Sequence, residues 1–386
     1  MNARVQDFLA EQLATRPEAP ALSDASGAAW SFADLDRARR ALAAELRAAG
    51  VQAGDRVLLM VENCVSAVAG LYAAWELDAV AIPVNARQSE AEVTRIINHA
   101  TPAAVLLTCE VSPEAAAHAV RLDAREIAGD FGSLHLATPQ PSSPDADLHD
   151  VAVLLYTTGT TGDPKGVMLT HSNLRFGARA SADLRQMVPG DVVYGVLPMT
   201  HVFGLVSVLM AAVSAGAKVR QESRFSAAKL HAATHEDVTI LPAVPQMHAL
   251  VMQYSRERGM PKLESPTLRY VSSGGAPLDP AWKRKAEAFY ELPLQNGFGM
   301  TETCSGASAT TNALGSPDTS VGPVTPGTEC KIDDQAPGGN GAGEGEVLVR
   351  GPHVMKGYYR NPTETDKAID AEGWLHTGDL GKLDKE

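Results

Sequence analysis

The segment Tyr156 to Val167 reads Tyr-Thr-Thr-Gly-Thr-Thr-Gly-Asp-Pro-Lys-Gly-Val. Thr157, Thr158, Thr160 and Thr161 alternate with Gly159 and Gly162, and one cation, Lys165, follows. Glycines let backbone N–H groups approach an anion, hydroxyls add donors, and Lys165 brings a compact positive charge. Such a segment can wrap a polyphosphate. The apolar run Val151 to Leu155 just upstream reads as a buried strand. A strand feeding a Gly-rich loop is a common seat for nucleotide phosphates. The spacing is not that of a Walker P-loop. Pro164 stands where the second Gly would be, and Gly166 follows Lys165 in place of Ser or Thr. Pro164 also lacks an N–H donor and opposes a helix through this point, so the loop is expected to stay mobile and to cap no helix.

Further segments along the chain mix small, polar and aromatic residues in the same compact way. They are Leu197-Pro-Met-Thr-His-Val-Phe-Gly204, Ser273-Gly-Gly-Ala-Pro-Leu278 and Asn296-Gly-Phe-Gly-Met-Thr-Glu302, then Met355-Lys-Gly-Tyr-Tyr-Arg-Asn-Pro362 and Gly373-Trp-Leu-His-Thr-Gly-Asp-Leu380. With the phosphate segment, and in this order, they resemble the motifs of the adenylate-forming superfamily: acyl-CoA synthetases, luciferases and peptide-synthetase adenylation domains. The resemblance covers essentially the whole chain. It implies two doubly wound, mainly parallel α/β sheets flanked by helices, with a small β-barrel-like subdomain. It also implies ATP-dependent activation of a carboxylic acid to acyl-AMP and pyrophosphate, followed by transfer to CoA.

In that chemistry a carboxylate attacks the α-phosphorus of ATP. Both partners are anionic, so charge neutralisation and in-line positioning are the main tasks. Mg²⁺ is the natural neutraliser, held by a carboxylate and phosphate oxygens. The resemblance places Glu302 as its ligand and Thr301 on the α-phosphate. It places Lys165 and the hydroxyl loop on the outer phosphates. Gly274, Gly275 and Ala276 lack bulk and would let the adenine edge approach, with Asn296 and Gly297 beside it. Phe298 stands where the family usually has Tyr. Its ring can still stack on adenine, without the hydroxyl's hydrogen bond. Asp379 matches the carboxylate that accepts the ribose hydroxyls; an Asx turn beside Gly378 is the plainer reading. His201 falls at the mouth of the acyl pocket as a substrate-positioning residue, although a lone His in an apolar run is more often packed. It is not needed as a base, because a carboxylic acid is already ionised at neutral pH.

An absence narrows the acid. Amino-acid-activating relatives carry an Asp early in the helix after the His motif, to pair with the substrate ammonium. No Asp or Glu occurs from Val192 to Gln221, and Phe203 falls near that position. An unpaired ammonium in an apolar pocket is costly, so a fatty, aryl or alicyclic acid is expected. Phe203, Val206, Val244 and Met247 would line its pocket, and each is equally explicable as core.

Bulk properties agree. A chain of 386 residues suggests two or three subdomains. The net charge of −13 argues against a general nucleic-acid or lipid-surface binder. Cys64, Cys109, Cys304 and Cys330 form no CxxC pair, which disfavours zinc or a disulfide framework and suits a reducing cytoplasm. The N-terminus lacks the pattern of a signal peptide. Val202 to Ala217, the longest weakly polar stretch, is short for a membrane span and reads as a buried helix under a pocket.

The elements that must position these residues follow from periodicity. Helices are predicted over Phe32 to Ala49 with Ser31 as N-cap, Ala67 to Leu77, Glu90 to His99, Phe203 to Ala215, Gln246 to Ser255 and Ala281 to Phe289. Strands are predicted at Arg56 to Val61, Ala79 to Val84, Ala104 to Thr108, Val192 to Leu197, Lys218 to Gln221 and Tyr270 to Ser272. Pro242 and Pro245 suggest an extended turn. This alternation means parallel sheets with helices on their faces. Gly, Pro and short Val/Leu runs dominate from Pro317, which suggests a small β-rich unit. The expected subdomains are 1–165, 166–316 and 317–386. The resemblance implies a mobile C-terminal domain beyond such a chain. Three alternatives stay open: transfer of the acyl group to a carrier-protein thiol, a kinase-like reaction releasing ADP, and binding of ATP or acyl-AMP with little turnover. A homodimer is compatible with all of them.

Overall fold

The computed structural model describes residues 3–139, 145–158 and 164–384. Two eight-stranded sheets form its body. The first runs, edge to edge, through Ser308–Ala309, Leu294–Phe298, Tyr270–Ser273, Ile240–Ala243, Val192–Gly195, Lys218–Gln221, Pro20–Ser23 and Ala29–Ser31. Its edge strands are antiparallel to their neighbours, and the strands between them are parallel. The second sheet runs through Gly357–Tyr358, Pro164–Thr170, Val151–Thr158, Val80–Asn85, Arg56–Val61, Ala104–Leu107, Gly132–Ala137 and Arg125–Gly129. Parallel pairing joins Val151–Thr158, Val80–Asn85, Arg56–Val61 and Ala104–Leu107, and antiparallel strands flank them on both sides. A third sheet pairs Glu329–Asp333, Glu344–Arg350 and Leu375–Lys382 antiparallel. The first sheet takes strands from both ends of residues 20–309, and the second takes Gly357–Tyr358 from far downstream.

Local chemistry explains the elements. Arg56–Val61 is buried at every position, as a central parallel strand covered on both faces must be. Ser31 opens the helix Phe32–Ala48 with a reciprocal capping box: its hydroxyl accepts the Asp34 N–H, and Asp34 accepts the Ser31 N–H at 2.8 Å. The helix Val65–Glu76 is buried almost all round, and its Trp75 indole donates to the Ala152 carbonyl at 2.9 Å. One continuous apolar core contains Leu59 and Val153 of the second sheet together with Val193 and Ile240 of the first. Asn63 ties the sheets together. Its amide donates to the Gly195 and Leu197 carbonyls, both at 2.8 Å, and accepts the Met199 N–H at 2.9 Å.

Two sequence expectations change. Pro242 lies inside the strand Ile240–Ala243, and Pro245 is the first residue of the helix Pro245–Arg256. A Pro at that helical position gives up only an N–H that has no intrahelical partner, so it starts a helix where an extended turn was expected. The helix predicted from Phe203 to Ala215 opens as a π-helix, Phe203–Met210, and becomes α-helical over Ala211–Ala215.

Candidate active site

The strands on either side of the Thr/Gly-rich segment pair antiparallel. Val151–Thr158 pairs with Pro164–Thr170, placing Thr157 opposite Lys165 and Thr158 opposite Pro164. A strand therefore follows the loop directly, consistent with its capping no helix. Gly159, Thr160 and Thr161, with Gly162 and Asp163, lie outside the described residues.

Three chain segments meet at Lys165. Its Nζ donates to Glu364 Oε2 at 2.6 Å and lies 5.0 Å above the centre of the Tyr358 ring. The Tyr358 hydroxyl donates to Glu302 Oε1 at 2.8 Å. Glu302 sits in the turn Thr301–Thr303 and is buried, as is Thr301. The backbone N–H of Met355 donates to the Glu302 carbonyl at 2.8 Å, and that of Tyr359 to the Gly166 carbonyl at 2.8 Å. The segment Met355 to Tyr359 thus clasps the Lys165 strand on one side and the Glu302 turn on the other. Lys165 and Lys367 hold the Glu364 carboxyl down at about 2. Burial, with the Glu302 carboxylate adding to it, pushes the Tyr358 phenol well above its ordinary value.

Glu302 suits a hard cation. It keeps an oxygen that accepts no hydrogen bond from a described residue. No cluster of three or more His, Cys, Asp or Glu among the described residues could cage a metal by itself. Mg²⁺ is usually held by one or two carboxylates with phosphate oxygens and water, and one free carboxylate oxygen meets that need.

A second group forms the apolar side. Gly204 is pressed onto the preceding turn: a Cβ there would sit 2.2 Å from the Pro198 carbonyl oxygen. That contact sets the start of the π-helix and aims Phe203 at the Ser273 to Leu278 turn. A Cβ on Gly274 would lie 2.9 Å from Phe203 Cε1, so the ring occupies the space a side chain would need. Gly275 has φ +79° and faces Val244 Cγ1 at 3.8 Å from its would-be Cβ. Ala276 is exposed on the same turn. Val244 and Met247 are half-buried on the entry to Pro245–Arg256, and both pack on the main core along with Phe203. The His201 ring is exposed; its Nδ1 accepts the Phe203 N–H at 3.3 Å, and desolvation lowers its pKa.

The segment from Asn296 to Glu302 begins at the end of the strand Leu294–Phe298. Gly297 pairs with Ala309, and a Cβ on it would lie 2.9 Å from the Ser308 carbonyl oxygen. The Asn296 amide nitrogen is taken by the Ser320 carbonyl at 3.0 Å, while its buried Oδ1 has no partner. Phe298 is half-buried against the core. Asp379 stands apart, on Leu375–Lys382 of the third sheet. Its carboxylate is exposed, makes no hydrogen bond to a described residue, and is raised by partial desolvation.

The fold therefore joins Lys165 to Glu302, and Phe203 and Val244 to the Gly274 turn. Among the described residues it forms no hydrogen bond between Asp379 and either group. Tyr358, Glu364 and Asn63 are the participants that sequence reasoning missed. Tyr358 lay within a segment already singled out, but no spacing pairs it with Glu302. A cavity of about 320 Å³ lies elsewhere, by Trp30, Cys64 and Ser133. Asp24, Glu110 and Asp130 line it and make it unsuited to a polyphosphate.

Comparison with known proteins agrees with this geometry. A family model described as AMP-binding enzyme matches residues 9–359. The chain is 33% identical over 409 aligned residues to 4-coumarate–CoA ligase 5 of Oryza sativa subsp. japonica, covering 99% of this chain and 74% of that protein. The crystal structure of apo MatB from Rhodopseudomonas palustris matches with a TM-score of 0.82 and 30% identity, over 100% of this chain and 77% of that one. Its ATP-bound form matches with a TM-score of 0.80 and 29% identity, over the same shares, 100% and 77%. With this two-sheet α/β body, the family match and the ligase relatives identify an AMP-forming acid–thiol ligase. The chain belongs to the AMP-binding enzyme family. No described helix is long and apolar enough to cross a membrane.

Proposed function

We propose that this chain activates a carboxylic acid without an α-amino group, fatty, aryl or alicyclic, as its acyl adenylate, for transfer to CoA. The observation that carries the acid's class is the Phe203 ring seated against Gly274, in a stretch from Val192 to Gln221 without Asp or Glu. The named activities of the relatives, 4-coumarate–CoA ligase and acyl-CoA ligase, support both an aryl or fatty acid and CoA as acceptor.

In this reading an acid oxygen forms a bond to the α-phosphorus of ATP, the bond from that phosphorus to the β-phosphate oxygen breaks, and pyrophosphate leaves. Thr157, Thr158, Gly159, Thr160, Thr161 and Lys165 hold the outer phosphates, and Thr301 holds the α-phosphate. Glu302 holds Mg²⁺, which supplies neutralisation of the phosphate charge when bound. Gly274, Gly275, Ala276, Asn296, Gly297 and Phe298 receive the adenine, and Asp379 the ribose. The unpartnered, buried Asn296 Oδ1 is suited to accept from an exocyclic amine. His201, Phe203, Val244 and Met247 face the acid. Action in the cytoplasm and a homodimer belong to the same proposal, and a carrier-protein thiol is the alternative acceptor.

A panel of acids assayed for pyrophosphate release tests the reading. Aryl and aliphatic acids should support release, and their α-amino analogues should fall short by at least about tenfold, the cost of an unpaired buried ammonium. Preference for an α-amino acid would refute the assigned class. Assays with CoA against a phosphopantetheinylated carrier separate the two acceptors.

A further inference from the structure

Lys165 reaches the phosphate hairpin already engaged. Its ammonium donates to Glu364 Oε2 at 2.6 Å, and Glu364 Oε1 accepts from Lys367 at 2.8 Å. Glu364 is held by a built arrangement. Its helix, Pro362–Ala368, is capped by Asn361, whose side chain accepts the Glu364 N–H at 3.2 Å. Thr365 receives the Tyr358 N–H at 2.9 Å and donates to the Asn361 carbonyl at 3.0 Å. A Cβ on Gly357 would sit 2.7 Å from Thr365 Cγ2, so this helix is pressed onto the strand Gly357–Tyr358. That strand pairs with Val167 and Met168, two and three residues beyond Lys165. The carboxylate is therefore fixed relative to the hairpin that carries the cation.

A polyphosphate recruiting Lys165 competes with this carboxylate for the same ammonium. We propose that Glu364 is an exchangeable counter-ion that tunes ATP affinity, releasing Lys165 to the phosphates while keeping Lys367 as its own partner. The proposal rests on the phosphate role given above to Lys165. Lys165 and Glu364 side chains are 23% and 30% exposed, so their pair is partly screened and its loss shifts affinity modestly. Tyr358 holds its place during the exchange, because its hydroxyl is fixed on Glu302 and its backbone N–H on Thr365.

The test is ATP titration by calorimetry on the full chain and its variants. Glu364→Gln keeps the helix cap and removes the charge. It should bind ATP about two- to fivefold more tightly, as expected for the removal of a partly screened pair. Glu364→Ala should give the same gain. Lys165→Ala should bind more weakly, and adding Glu364→Gln to it should restore nothing. A merely structural Glu364 gives no gain in affinity. Unchanged or weaker binding by both Glu364 variants, or a gain that persists without Lys165, overturns the proposal. If Lys165→Ala binds ATP as wild type does, the phosphate role of Lys165 itself fails, and that outcome is distinct.

Discussion

In the proposed reaction Glu302 would carry the largest burden of any single side chain. It is buried, fixed by the Tyr358 hydroxyl at one oxygen, and open at the other. Glu302→Gln keeps the shape and the hydrogen bond while removing the charge. Pyrophosphate release should fall on the order of a hundredfold, since charge placed in a preorganised site is worth that much, and Mg²⁺ should no longer raise it. Wild-type rates with ordinary Mg²⁺ dependence would dismiss the role. Asp379 makes a contrasting case, exposed and free of protein partners. Two charge-assisted bonds to ribose are each worth about 1.5–3 kcal/mol, so Asp379→Ala should weaken ATP by at least about tenfold while the melting temperature holds. Equal affinity by calorimetry would count against it. Lys165 and Glu302 were singled out in the sequence because a motif surrounds each of them. Their partners were not. Lys165 and Glu364 are 199 positions apart, and Glu302 and Tyr358 are 56 apart, and no local spacing links such pairs.

At the scale of elements, the site depends on how the turn from Val196 to His201 is held between the sheets. Asn63 satisfies two carbonyls and one N–H there. Asn63→Leu would orphan the Leu197 carbonyl and the Met199 N–H, each at about 1–3 kcal/mol, while the Gly195 carbonyl keeps the Glu222 N–H, so urea unfolding should show a loss of at least about 2 kcal/mol. Activity should fall further than stability, because the same turn aims His201 and Phe203; a loss below about 1 kcal/mol would show that the tie is not needed. Arg56–Val61 and Lys218–Gln221 were read from sequence with the bounds the fold gives them; the first is an apolar run that opens after Gly54-Asp55 and closes at Glu62-Asn63, and the second opens just after the Gly216 stop. His171–Leu184 was missed. Its apolar positions are few, and Gly177 weakens the pattern. That glycine is a packing choice: a Cβ would lie 2.6 Å from the Cys304 carbonyl oxygen, beside the Glu302 turn. The π-helix was also invisible, because a buried apolar run fits α and π geometry equally well.

The whole molecule carries its own pH limit. His171, His248 and His353 are buried, and desolvation drives each to about 4. His248 is engaged by the Tyr290 hydroxyl and the Ser272 carbonyl, whereas neither ring nitrogen of His353 has a hydrogen-bond partner among the described residues. The fold keeps these rings neutral. The unfolded chain protonates them below about pH 6.5, so stability is full above that value and falls as pH drops toward about 4. Each group contributes a slope of up to about 1.4 kcal/mol per pH unit in that window. Urea midpoints measured from pH 7 to 5 should fall, and His353→Phe should flatten the fall by about a third; a midpoint independent of pH would refute it. The assembly of distant segments into one hairpin-centred site serves a single claim: that an acid is joined to the α-phosphorus of ATP. Exchange of labelled pyrophosphate into ATP tests this most directly. The account predicts exchange that requires Mg²⁺ and an apolar carboxylic acid, with AMP as the nucleotide product. Formation of ADP, or exchange indifferent to the acid, would contradict it.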